Sequence, residues 1–162
     1  MDAPEIRVAT FGETDTIVEH WVALATGQRE YDSHIVADAN RSQIREAVVH
    51  HIASDSLLVA ETDEIVGFVM FTVESGTYEQ DSQRGVVENL YVRPDHRNEG
   101  IGSRLLDVSE RRLAARGVDH VALQVMARND SARQFYRDNG FAPHRIELEK
   151  RIESDTHSKG DE

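Results

Sequence analysis

The chain has 162 residues, with a formal net charge of −12 from 30 acidic and 18 basic residues, eight histidines and no cysteine. That length fits one domain with a real hydrophobic core. The missing cysteine excludes disulfides, thiolate metal ligands and a cysteine nucleophile. An acidic balance disfavours unspecific nucleic-acid binding, and there is no run of eighteen apolar residues to span a membrane.

The predicted elements run as follows. Ile6 to Phe11 alternates as a first strand, and Gly12 ends it. Thr14 or Asp15 can cap a helix to about Ala25, with Ile17, Val18, Trp21 and Leu24 on one face. Residues 27–38 lack a period and read as a loop or broken helix. Asn40 is a good N-cap for a second helix, in which Ile44, Val48 and Ile52 recur every four residues. Leu57–Glu61 and Ile65–Val73 read as strands around the turn Thr62–Glu64. A polar loop, Gly76 to Gln83, leads to the strand Val86–Val92. Gly100 to Arg116 reads as a helix with Ile101, Leu105, Val108 and Leu113 inward, ended by Gly117. Val118–Met126 is predicted as a strand, and Asn129 or Asp130 as the cap of a short helix ended by Gly140. Phe141 to Ile152 alternates enough for a last strand or pair, and 153–162 reads as a polar tail.

Strands and helices in this order predict a single α/β domain over residues 5–152, with a mixed central sheet flanked by helices. The helix between Val92 and Val118 is a crossover, so the strands on either side of it should lie parallel.

Charge is uneven along the chain. Residues 86–137 hold nine arginines against seven acidic residues, so the negative excess lies elsewhere. An anionic ligand would be tolerated there and repelled by the rest, although a salt-bridged helix surface gives the same count. Within this stretch Arg97, Gly100 and Gly102 follow a strand and open a helix. A helix start offers unsatisfied N–H groups and the positive end of the macrodipole, so this order makes an anion cradle. Ser103-Arg104 stands where a P-loop needs Lys-Ser or Lys-Thr, and Leu105 where a dinucleotide fingerprint needs a third small residue. There is no H-E-x-x-H and no G-x-S-x-G, so a zinc peptidase or serine hydrolase is not expected.

Arg97-Asn98-Glu99-Gly100-Ile101-Gly102 is similar to the pyrophosphate loop of the GNAT superfamily of acyl-CoA-dependent N-acyltransferases. Asn129, Ala132, Phe135-Tyr136 and Gly140-Phe141 resemble its second signature, about thirty residues on. The resemblance implies a GNAT fold in which the two parallel strands splay at one end and acetyl-CoA lies in the gap. It implies pantetheine contacts near Leu90, Val92 and Asn129, and a pyrophosphate on the N–H groups of Asn98, Glu99, Gly100, Ile101, Gly102 and Ser103 with Arg97 beside it. It further implies Glu88 as general base, its carboxylate desolvated in an apolar strand, and Tyr136 as the group that stabilises the leaving thiolate. Core or solvent-facing positions remain the competing readings for both, since Glu88 and Asn89 should point to opposite faces. Arg128 and Arg133 are in reach of nucleotide phosphates by position.

The implied reaction is direct transfer of the acetyl group from acetyl-CoA to a primary amine, with no metal. Tyr31, His34, Glu74, Tyr78 and Asp81 are acceptor candidates by position only. An acyl-CoA-binding protein that has lost transfer is the alternative. The N-terminus lacks a basic-then-apolar leader, which suits a cytoplasmic protein. Only Lys150 and Lys159 are lysines, and an acidic, lysine-poor surface resembles proteins of salt-loving cells. Relatives are often dimers, which leaves a homodimer open.

Overall fold

The computed structural model describes residues 3–76 and 78–153. Five strands form one sheet in the order β1 (Glu5–Val8), β2 (Leu57–Glu61), β3 (Ile65–Val73), β4 (Arg84–Val92) and β5 (His120–Leu123). Neighbours up to β4 are antiparallel, while β4 and β5 are parallel. The parallel pair follows from the crossover α3 (Ile101–Ala115), which returns the chain to the side where β4 began.

Period-two burial divides the core. Leu57, Val59, Phe68 and Met70 face α1 (Thr14–Gln28) and α2 (Arg41–Ala53), meeting Ile17, Val18, Val48 and Ile52. Their neighbours Leu58, Ala60, Val69 and Phe71 face α3 and α4 (Asp130–Asp138), meeting Ile101, Leu105, Leu106 and Leu113. β2 and β3 are therefore covered on both faces, which is why their sequences are nearly continuous apolar runs. Each fully buried side chain of this kind contributes about 1.5–3 kcal/mol.

Several element ends differ from the sequence reading. β1 stops at Val8, and a 3-10 turn at Phe11–Glu13 precedes α1, so Glu13 rather than Thr14 or Asp15 is the N-cap. Thr14 lies inside the first turn, its Oγ1 donating to the Phe11 carbonyl at 2.7 Å. Glu13 is held there by Arg7, 2.6 Å away, which also reaches Glu61, a tie between β1, the turn and β2. α1 continues to Gln28 before the chain breaks at Asp32, whose φ is 76°. Asn40 is the N-cap of α2, but its side chain donates to Val36 O and caps nothing.

The largest correction is at the end. No strand forms in 141–153. Phe141 is anchored against Tyr136 with ring centroids 5.8 Å apart, but Ile146, Leu148 and Ile152 are 76, 90 and 89% exposed. Alternation needs a neighbouring strand to become structure, and this segment has none among the described residues. The tail beyond Glu153 lies outside the described residues.

Candidate active site

β3 and β4 pair in step from Gly67↔Val92 to Met70↔Asn89 and resume at Phe71↔Val87. Glu88 is the residue left over, a β-bulge, so two residues of β4 stand opposite one. Paired residues share a face, so Asn89 lies on the side of Met70, toward α1 and α2. Glu88 turns the same way, its Oε1 3.0 Å from His51 Nε2 on α2. The alternation expected of Glu88 and Asn89 is thus broken, and the burial expected for Glu88 is incomplete: its side chain is 35% exposed.

The ladder on the other edge of β4 ends at the same point. Pairing with β5 runs from Arg84↔His120 to Val87↔Leu123 and stops. The strand predicted for Val118–Met126 is accordingly only four residues long, its ladder ending one residue before the bulge in β4. Past Val87 no strand of the described residues lies on that edge of β4, where Leu90 and Val92 sit half-buried on the α3 side. Arg97 Nε donates to the Val92 carbonyl at 2.9 Å, and its guanidinium lies 5.8 Å from the Tyr91 ring centroid.

The turn into α3 contains two left-handed residues, Asn98 (φ 66°) and Gly100 (φ 82°). A Cβ on Gly100 would meet nothing within 4 Å, so conformation alone asks for glycine there. Gly100 is the N-cap, and among the described residues no side chain caps α3, which leaves its first N–H groups without side-chain partners there. Asn98, Glu99 and Gly100 are exposed, Gly102 and Ser103 are half-buried, and the Ile101 side chain is buried in the core. Gly102 has a further reason to be glycine: its Cβ would stand 3.0 Å from Phe135 Cζ. Among the described residues Arg97 has no carboxylate partner.

The second motif sits against this turn. Asn129 Oδ1 accepts from Ala132 N at 3.1 Å and so caps α4, while its amide nitrogen has no partner among the described residues. Phe135 and Tyr136 pack edge to face at 5.2 Å within the α3-side core. Burial pushes the Tyr136 pKa up to about 12, and its hydroxyl has no hydrogen-bond partner among the described residues. An uncapped helix start and an open strand edge fit a ligand with a diphosphate at one end and amide groups along its arm.

Residues 17–141 match the profile of the family described as Acetyltransferase (GNAT) family. This chain belongs to that family. An acetyltransferase of Sodalis glossinidius is 39% identical over 83 residues, 51% of this chain and 54% of that protein. A mycothiol acetyltransferase of Beutenbergia cavernae is 31% identical over 140 residues, 85% of this chain and 45% of that protein. The chain thus spans about half the length of the curated relatives it matches. The PaiA N-acetyltransferase of Thermoplasma acidophilum, solved in complex with coenzyme A, superposes with a TM-score of 0.71 at 20% identity, over 90% of this chain and 94% of that one.

As a member of the GNAT family the chain carries both signatures in contact, through Phe135 and Gly102. The acceptor candidates are scattered by comparison. Glu74, Tyr78 and Asp81 line a cavity of about 280 Å³ at the start of β4, where Glu74 pairs with Arg84 at 2.5 Å. His34 instead faces Glu149 at 2.8 Å, and Arg128 is engaged by Asp32 at 2.9 Å. Arg133 donates to Ala127 O. His51 lies in neither of the two sequence motifs. The available signal was its place on the apolar stripe of α2, seven residues after Ile44 and three after Val48, where it is buried.

Proposed function

We propose that this chain is an acetyl-CoA-dependent N-acetyltransferase that transfers the acetyl group directly to a primary amine in a ternary complex. The observation that carries this reading is the shared end point of two ladders. The β4–β5 pairing stops at Val87↔Leu123, and the unpaired Glu88 stands at the next position. Acetyl-CoA, when bound, supplies an activated thioester carbonyl.

Main-chain N–H groups from Asn98 to Ser103 would receive the pyrophosphate, with Arg97 swinging from the Val92 carbonyl to add charge. Leu90, Val92 and the free amide of Asn129 would hold the pantetheine arm in register, which fixes the thioester against the acceptor. An ammonium has no lone pair, so Glu88 takes a proton from the acceptor before attack. Tyr136 keeps its proton at neutral pH, since its pKa is pushed up to about 12. A thiol ionises near 8.5, so Tyr136 stabilises the departing thiolate as a hydrogen-bond donor; full proton transfer would be uphill by about 5 kcal/mol.

The acetyltransferases among the relatives support acetyl transfer, and a coenzyme A complex among the structural neighbours supports the choice of cosubstrate. Three finer readings belong to the same proposal. A chain without cysteine suits a cytoplasmic protein. Its acid-rich surface with two lysines suits a saline cytoplasm. The exposed Ile146, Leu148 and Ile152 support a homodimer, which light scattering would report.

The test is calorimetry with acetyl-CoA, followed by thiol release over a panel of primary amines. Binding together with release by at least one amine is expected. Binding with no release over the whole panel would hand the chain to the non-catalytic alternative. Glu88→Gln should lower turnover at neutral pH and recover partly at high pH, where free amine is abundant.

A further inference from the structure

The proposed base does not stand alone. His51 Nε2 is 3.0 Å from Glu88 Oε1, and His51 Nδ1 is 2.7 Å from the carbonyl oxygen of Ala47, one turn back on its own helix. A carbonyl oxygen only accepts, so Nδ1 carries a hydrogen whatever the charge of the ring. That leaves Nε2 facing a carboxylate oxygen. With no proton between them, two lone pairs confront each other. With one proton shared along that axis, both atoms are satisfied. His51 is almost wholly buried, its side chain 10% exposed, so water cannot relieve the mismatch, whereas Glu88 is open along one edge.

We infer that His51 and Glu88 act as one proton-accepting unit, in which Glu88 meets the acceptor amine and His51 is the positioning residue that sets how firmly the proton is held. This inference rests on the reading of Glu88 as base. An N–H bond of the ammonium breaks and leaves its electron pair on nitrogen. The proton passes to the Glu88 carboxylate, and rotation of that carboxyl group presents it to Nε2. Neutral His51 thereby becomes imidazolium beside a carboxylate, and the proton later leaves to solvent over the exposed edge of Glu88. A lone carboxylate is a weak base near neutrality; an imidazole coupled to it is a stronger one.

The surroundings agree. Burial opposes the charged ring, but the Glu88 carboxylate and the Ala47 carbonyl together outweigh it and hold the His51 pKa above the ordinary histidine value. Glu88 is the charged group that faces the ring from the sheet, and His50 on the same helix stands edge-on with centroids 5.7 Å apart. Because the shift is upward, the unit is loaded below that pKa and idle as a base. Turnover should rise as pH climbs through it.

Two measurements test this. The first is an imidazole nitrogen NMR titration of the full chain, with His51→Gln identifying the signal. The wild-type ring should be the Nδ1–H tautomer when neutral and titrate above ordinary histidine, and Glu88→Gln should drop the midpoint by at least one pH unit. An Nε2–H tautomer, or a midpoint indifferent to Glu88→Gln, overturns the pairing. The second is the pH profile of thiol release from acetyl-CoA with the fastest amine of the panel. In His51→Gln the acid limb should move down by more than one unit and the plateau fall about tenfold, with acetyl-CoA KM unchanged. A lower plateau with an unmoved limb would make His51 merely structural and sink the inference, while loss of activity in Glu88→Gln kept the base. Full activity in Glu88→Gln would sink the base itself, and the unit with it.

Discussion

The Phe135 ring occupies the space a side chain on Gly102 would need: an added Cβ would come within 3.0 Å of its Cζ. Two motifs thirty residues apart are thus one structural unit, with the short helix α4 seated on the first turn of α3. The glycine pattern of the α3 loop serves this contact as well as any ligand. Gly102→Val would overpack the site, at about 1–3 kcal/mol. We expect a fall of several degrees in Tm and at least tenfold weaker acetyl-CoA binding by calorimetry. An unchanged Tm would mean that Phe135 moves aside freely.

Gly100 makes a different demand, because there is room for a side chain but φ is 82°. Alanine in that conformation costs about 1–2 kcal/mol, whereas asparagine tolerates it. Gly100→Ala should therefore lower Tm more than Gly100→Asn does, by thermal denaturation of both variants. The opposite order would show that space rather than backbone conformation governs the position.

Tyr136 is expected to act on the leaving group. Tyr136→Phe should reduce kcat by about ten- to a hundredfold and leave the acetyl-CoA Kd within about threefold, because the ring still packs on Phe135 and Phe141. Its loss should be equal from pH 6 to 9, well below the pKa of about 12. Undiminished turnover would return Tyr136 to the core.

Acid sensitivity should trace to Glu13. The Arg7 guanidinium, against some burial, holds its pKa down at about 2, against an ordinary value of 4.5. A depressed carboxylate stabilises the fold above its unfolded pKa, and this contribution fades as pH falls from about 4.5 to 2. Its size is on the order of 2–3 kcal/mol. Urea denaturation across that range should show a steeper loss in the wild type than in Glu13→Gln. Parallel slopes would show that Arg7 does not favour the charged form.

Salt should matter for a net charge of −12. Screening of self-repulsion predicts that Tm rises between 0.1 and 2 M KCl, by which point the Debye length has shrunk from about 10 to under 3 Å. A flat or falling Tm would remove the saline reading.

Most of the fold was legible in local pattern. β2 and β3 match their predicted limits, α3 falls within a residue of its own, and Gly117 and Gly140 end their helices with φ of 90° and 93°. These follow from period, capping and turn chemistry, all of which act over a few residues. The turn at Gly100 was equally legible, since a glycine turn before a helix is a local event. The strand predicted after Phe141 failed for the converse reason: alternation is local, but a ladder is not.

By itself the sequence determined the family, the element order as far as α4 and the glycine turn before α3, because each rests on residues close together along the chain. Only the tertiary structure decided that Glu88 is extra to its ladder, that β4 leaves β5 at that same step, and that a histidine thirty-seven positions earlier meets it. A bulge exists only relative to the partner strand. Whether a carboxylate keeps or sheds a proton depends on which helix folds over it, and no spacing along one chain encodes that encounter directly.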